Sequence, residues 1–148
     1  MTKWKLFLAV FCSFMCGLSV SAFSEGDGST PNPVRLDALA TPYSDMATDF
    51  PLWPEDVIIS GVSEHRYKTF YSNDITVEIY EAKPLTLQIV DFPIDEFVTV
   101  VSGKLILTPK GGEPEHYDVG DSVLVPKGYT GIWEMQGKYR ELIAFKTE

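Results

Sequence analysis

From Val57 to Lys146 the chain is a succession of short apolar runs rich in β-branched and aromatic residues, broken at close intervals by turn-forming groups. The runs are Val57–Val62, His65–Tyr71, Ile75–Glu81, Leu85–Phe92, Phe97–Val101, Lys104–Pro109, Glu115–Val119, Ser122–Val125, Thr130–Met135 and Arg140–Lys146. Between them stand Ser72-Asn73-Asp74, Lys83-Pro84, Ser102-Gly103, Lys110-Gly111-Gly112, Gly120-Asp121, Pro126-Lys127-Gly128 and Gln136-Gly137-Lys138. No window sustains a helical apolar period, so the pattern predicts an all-β sandwich or barrel with few, short helices.

The part before Val57 reads differently. Residues 34–56 form an arm in which Val34–Ala40 fits one helical turn or a short strand, and Pro42, Pro51 and Pro54 break up the remainder. Phe50, Leu52 and Trp53 are expected to fasten this arm to the domain. Residues 23–33 have the small, polar, Gly- and Pro-rich composition of a flexible linker. Met1–Ala22 places Lys3 and Lys5 before an apolar stretch from Leu6 to Val20 and ends in Val20-Ser21-Ala22, the plan of a signal peptide cleaved near Ala22. Its apolar run is shorter than the roughly 20 residues of a membrane span. The expected layout is therefore a leader, a linker, an arm and one domain over 57–148, exported to the periplasm or the extracellular space.

Charge narrows the partners. With 21 acidic and 12 basic residues the chain carries a formal charge of −9, and losing Lys3 and Lys5 makes it more acidic still. Such a surface repels nucleic acid and anionic lipid. Both cysteines, Cys12 and Cys16, fall inside the leader, so the mature chain has no disulfide, thiolate metal site or cysteine nucleophile. No second apolar segment is long enough for stable membrane insertion.

Two stretches carry a resemblance. Glu96, then Gly103 after a six-residue gap, is followed by Gly120, Pro126 and Gly128, within the wording Asp95-Glu96-Phe97, Gly120-Asp121-Ser122-Val123-Leu124-Val125-Pro126-Lys127-Gly128 and Gly131-Ile132-Trp133-Glu134. This pair of motifs resembles the cupin superfamily, in the branch of small cupins that includes the ureidoglycine aminohydrolase cupin domain and the ethanolamine-utilisation cupin. The resemblance covers roughly Ile75 to Phe145 and implies a double-stranded antiparallel jelly roll. Metal-binding cupins carry His-x-His before the glutamate and a further histidine after the Pro-x-Gly. Here those positions fall on Val90, Phe92 and Gly131, which have no lone pair to offer. One carboxylate does not hold a transition metal against water, so no metal and no cofactor are expected, and the aminohydrolase activity loses support. His65 and His116 lie outside both motifs and read as surface strand residues.

Strand alternation puts Thr86, Gln88, Val90 and Phe92 on one face, which in cupins lines the pocket, and points Asp91 away from it. By motif position Glu96, Gly131 and Trp133 face the same space. The expected site is an apolar cup with Phe92, Trp133 and Tyr80 as its aromatic wall, Val90 and the amide of Gln88 beside them, and Glu96 as its carboxylate. Burial raises the pKa of such a carboxylate toward the range useful for proton transfer, which makes Glu96 the catalytic candidate. Its structural alternative is a pair with Arg140, Lys104 or a tyrosine hydroxyl. Glu81 and Glu134 are weaker rim candidates, and Glu141 stands where the branch often has a lysine. The leading reading is a module that binds or senses a small polar metabolite. The second is a metal-independent isomerase, lyase or hydrolase using Glu96 on an amino or hydroxy acid or a ureide. The third is a structural role, with homodimers formed through edge strands such as Val57–Val62.

Overall fold

The structure, a computed structural model, describes residues 32–147. The expected signal peptide and nearly all of the linker lie outside the described residues. The strands are β1 (Ile58–Gly61), β2 (His65–Ser72), β3 (Ile75–Ala82), β4 (Leu85–Ile89), β5 (Glu96–Pro109), β6 (Glu115–Tyr117), β7 (Ser122–Val125) and β8 (Gly131–Lys146), with short 3-10 turns at Tyr43–Asp45 and Glu55–Val57. No helix among the described residues is long and apolar enough to cross a membrane.

Ser102-Gly103 and Gln136-Gly137-Lys138 do not end strands, as the turn signals predict; they bend them. Phe97–Val101 and Lys104–Pro109 are halves of β5, and Thr130–Met135 and Arg140–Lys146 are halves of β8. The two long strands stay paired from Glu96↔Phe145 to Pro109↔Gly131, with the register slipping on either side of Ser102. Such bulges insert extra residues and turn a strand without breaking its ladder. Gly103 sits at the bend with φ +76°, and a Cβ there would lie 2.4 Å from the Gln136 carbonyl oxygen and 2.9 Å from the Tyr139 Cα. Only glycine tolerates both the conformation and the approach.

Because β5 and β8 bend together, each contributes one half to each of two layers. The first runs β2-β3-β8-β5-β7 and the second β1-β4-β8-β5-β6, all antiparallel. This is the predicted jelly roll. Leu85, Leu87 and Ile89 of β4, Val98, Val100 and Leu105 of β5, Val125 of β7 and Tyr139 of β8 are almost wholly buried in the core between the layers.

The arm covers the outside of the first layer. Glu81 and Arg140 face each other across β3 and β8, and the guanidinium donates from Nε at 2.9 Å and Nη2 at 2.6 Å to Glu81 Oε2. Nη1 donates to the carbonyls of Ala38 at 3.1 Å and Thr41 at 3.0 Å, so one buried side chain straps the arm to the sheet. A bridge between Ala47 and Tyr67 extends the attachment. Further on, the Trp53 indole donates to the Tyr80 hydroxyl at 3.3 Å. Leu52, expected to help here, is exposed instead, while Phe50 and Trp53 reach the cavity wall.

Truncating Arg140 leaves Glu81 buried without its partner. Arg140→Met is expected to lower stability by about 3–5 kcal/mol in urea unfolding, and the Arg140→Met/Glu81→Met double variant to recover most of it. Equal losses in the single and double variants would show that the pair is not what holds the arm.

Candidate functional site: a carboxylate-bearing aromatic cavity

The space between the layers is not completely filled. A cavity of about 70 Å³ lies against Tyr67, Glu78 and Tyr80 from β2 and β3, Leu87 and Ile89 from β4, Glu96 from β5, and Trp133, Met135, Glu141 and Ile143 from β8. Phe92 and Ile94 of the β4–β5 connection and Phe50 and Trp53 of the arm complete it. Apart from its carboxylates the wall is almost wholly apolar or aromatic. Phe92 and Trp133 meet at 36° with ring centroids 5.5 Å apart, forming an angled corner.

Of the residues expected to form the site, Glu96, Phe92, Trp133 and Tyr80 line this cavity. Gln88 and Val90 do not. Both are exposed, and Gln88 donates through Nε2 to the Gly131 carbonyl at 2.9 Å on the outside of β4. The expected alternation fails because β4 ends at Ile89 and Asp91 takes a left-handed conformation, φ +58°. Short acidic residues tolerate that region. The kink is tied to the loop after β7: Asp91 N–H donates to Thr130 Oγ1 at 3.0 Å, and Phe92 N–H to the Tyr129 carbonyl at 2.9 Å. Phe92 thereby turns inward out of phase, and the inward row is Leu85, Leu87 and Ile89. Gly131 also does not face the cavity; a Cβ there would meet the Thr108 carbonyl oxygen at 2.2 Å and the Tyr129 ring.

Two further carboxylates share the space. Glu78 lies two residues before Tyr80, and Glu141 two before Ile143, so the alternation that brings in the aromatic and aliphatic neighbours brings them in as well. That signal was available in the sequence. Glu78 accepts a hydrogen bond from Thr69 Oγ1 at 2.7 Å, and Glu141 accepts a short one from the Tyr139 hydroxyl. Glu96 is only 8% exposed, and its carboxyl has no hydrogen bond or ion pair among the described residues. Of its structural alternatives, Arg140 pairs with Glu81, Lys104 with Asp118 at 3.0 Å, the Tyr139 hydroxyl with Glu141 and the Tyr67 hydroxyl with Asp49 at 3.1 Å.

Burial dominates the electrostatics. It pushes the Glu96 carboxyl well above its usual range, and the charges of Glu141 and Glu78 push it further. Burial raises Glu141 to about 7 despite the opposing hydrogen bond from Tyr139, and raises Glu78 against that from Thr69. The weaker candidates fall outside the cavity: Glu81 is in the Arg140 pair, and Glu134 accepts from Gln136 Nε2 at 2.6 Å. His65 is buried rather than at the surface, its Nε2 3.4 Å from the Phe50 carbonyl and its ring edge-on to Phe50. His116 is exposed.

The donors do not fit a cupin metal. Val90 points to solvent, Phe92 brings a ring and Gly131 is packed under Tyr129. Among the described residues no group of three or more His, Asp or Glu is placed to hold a metal ion.

Comparison with known proteins agrees with this architecture. Residues 77–141 match the family described as the EutQ-like cupin domain. The chain carries a cupin domain of the EutQ-like branch. Among solved structures it is similar to a protein of unknown function from Pseudomonas syringae pv. tomato, at 19% identity and TM-score 0.65, over 75% of this chain and 46% of that one. It thus spans less than half of that protein. It is also similar to the polyketide cyclase RemF from Streptomyces resistomycificus, at 14% identity and TM-score 0.56, over 73% and 78% of the two chains. A Salmonella typhimurium protein assigned to ethanolamine utilization gives 15% identity and TM-score 0.51, over 65% and 78%. At these identities the likeness concerns the fold. No curated protein matches the sequence.

A raised carboxyl pKa makes the folded state hold its proton after the unfolded chain has released it. Stability is therefore full below the unfolded value near 4.5 and falls as pH rises through the folded value, about 7 for Glu141. We expect the protein to lose on the order of 3 kcal/mol between roughly pH 4.5 and 7 from this group, with Glu96 extending the loss upward. Glu141→Gln should flatten much of that slope in urea unfolding. A pH dependence unchanged by this substitution contradicts the assignment.

Proposed function

We propose that this cupin domain is an exported small-molecule binding or sensing module whose ligand enters the cavity between the layers and meets Glu96. The observation that carries this reading is the Glu96 carboxyl, without a partner among the described residues, on a wall made mostly of rings and aliphatic chains. A buried carboxylate without a donor is costly, and a structural one gains a partner from its own protein. At Glu96 a ligand is the missing partner. Phe92, Trp133 and Tyr80 provide the apolar contact, as in most small-ligand sites, where a few polar groups set orientation. The leader-like N-terminus supports export, which places the ligand outside the cytoplasm.

A second reading rests on Glu96 and Glu141 lying on one apolar wall. Burial raises both carboxyls toward the range useful for proton transfer, and Glu96 then moves a proton on the bound molecule without metal. The occurrence of this fold in a polyketide cyclase is compatible with such chemistry.

A broad panel of small metabolites tested by thermal unfolding separates these. A genuine ligand at a hundred times its Kd adds about 2.7 kcal/mol of stability, and Trp133→Ala should abolish that gain. In Glu96→Gln, a binding module keeps its fold, shows a changed affinity and has no turnover to lose, whereas an enzyme loses turnover. No stabilisation by any compound would remove both readings.

A further inference from the structure

The proposed binding role says nothing about the ligand's charge, but the cavity does. The polar groups on its wall are Glu78, Glu96, Glu141, the Tyr67 and Tyr80 hydroxyls and the Trp53 indole, which donates to Tyr80. None of the described lining residues is a lysine, arginine or histidine. Cations elsewhere in the domain are engaged on the outside: Arg140 with Glu81, Lys104 with Asp118, Lys83 with Glu64 at 2.5 Å and Lys68 with Asp45 at 3.8 Å. Thr69 donates to Glu78 and Tyr139 to Glu141, which leaves Glu96 as the one of the three whose carboxyl accepts no hydrogen bond among the described residues.

We infer that, if the cavity is the binding site of the proposed function, its ligand is a compact organic monocation, an ammonium or alkylammonium group whose charge meets Glu96 against the rings of Phe92, Trp133 and Tyr80. An anion would be buried on a wall with no cation to balance it, and would oppose ionisation of the three carboxyls. A metal ion needs several converging donors, and the described residues bring no such group together. An organic ammonium ion gives up its hydration far more readily than a divalent metal ion, is attracted to aromatic faces and can be held by one charged acceptor. The free volume of about 70 Å³ limits the buried part to a few heavy atoms. Phe50, Trp53, Tyr67 and Ile94 are partly exposed, so a longer ligand would leave its remainder on their side.

The test uses calorimetry and tryptophan fluorescence on the full chain with three molecules of similar shape and different charge: tert-butylammonium, tert-butanol and pivalate, with tetramethylammonium as a cation that donates no N–H. Both cations should bind and perturb the fluorescence of Trp53 and Trp133, tert-butanol about tenfold or more weakly, and pivalate not measurably. Glu96→Gln should weaken cation binding about ten- to a hundredfold and leave tert-butanol unchanged. Trp133→Leu should weaken tetramethylammonium about three- to thirtyfold. Because wild-type protein alone supplies the comparison of charges, the result does not hang on a variant folding. Tert-butanol or pivalate binding as tightly as the cations overturns the assignment of charge and leaves small-molecule binding standing. So does cation binding indifferent to both substitutions. No binding by any of the four compounds overturns the cation, and if the metabolite panel also gives no stabilisation, the binding role falls with it.

Discussion

The pairing of β5 with β8 is the interaction on which the rest of the molecule depends. Over its whole length it holds two bent strands together, and the bend puts one half of each in either layer. The same ladder fixes three of the residues that matter most: Glu96 near the start of β5, Trp133 near the start of β8, and Glu141 beyond its bend. Close approach of the backbones at Gly103 makes the geometry possible. A side chain there would push the layers apart and open the cavity they enclose.

Alternation along β8 then sorts charge between two environments. Arg140 and Glu141 are neighbours in sequence but face opposite ways. Arg140 turns outward and is consumed by Glu81 and the arm carbonyls, while Glu141 turns inward among rings and aliphatic chains. The outer face is thus electrically closed and the inner face is not. Burial and mutual repulsion hold the inner carboxyls toward their neutral forms. They are poised to ionise when something positive enters or to exchange a proton with what binds. Other polar pairs of the cavity wall, such as Trp53 with Tyr80, are internally satisfied and stiffen it.

Much of this was legible in the residues. Turn signals and strand periodicity gave the strands and an all-β sandwich or barrel, and the joint spacing of Glu96, Gly103, Gly120, Pro126 and Gly128 carried the resemblance that implied the jelly roll. Tyr80, Phe92, Glu96 and Trp133 line the cavity. The features that were not legible depend on backbone events without a local signature. A glycine in a bulge and a glycine in a turn look alike, so β5 and β8 each read as two strands. The left-handed Asp91 restarts the alternation, so Gln88 and Val90 were assigned to the wrong face. Glu78 and Glu141 are in phase with Tyr80 and Ile143, so strand periodicity alone puts them on the cavity side.

The central claim is that the Glu96 carboxyl faces the cavity with no partner among the described residues, so that burial pushes its pKa above the usual carboxylate range. The most direct measurement is an NMR titration of carboxyl carbons in protein labelled at glutamate side chains, with Glu96→Gln and Glu141→Gln used to assign the two signals. The account predicts a Glu96 carboxyl that titrates well above the usual glutamate range, with Glu141 titrating near 7 and shifting when Glu96 is replaced. A Glu96 signal that titrates at the ordinary glutamate value of about 4.3 would mean that the carboxyl is solvated or paired, and would contradict the account.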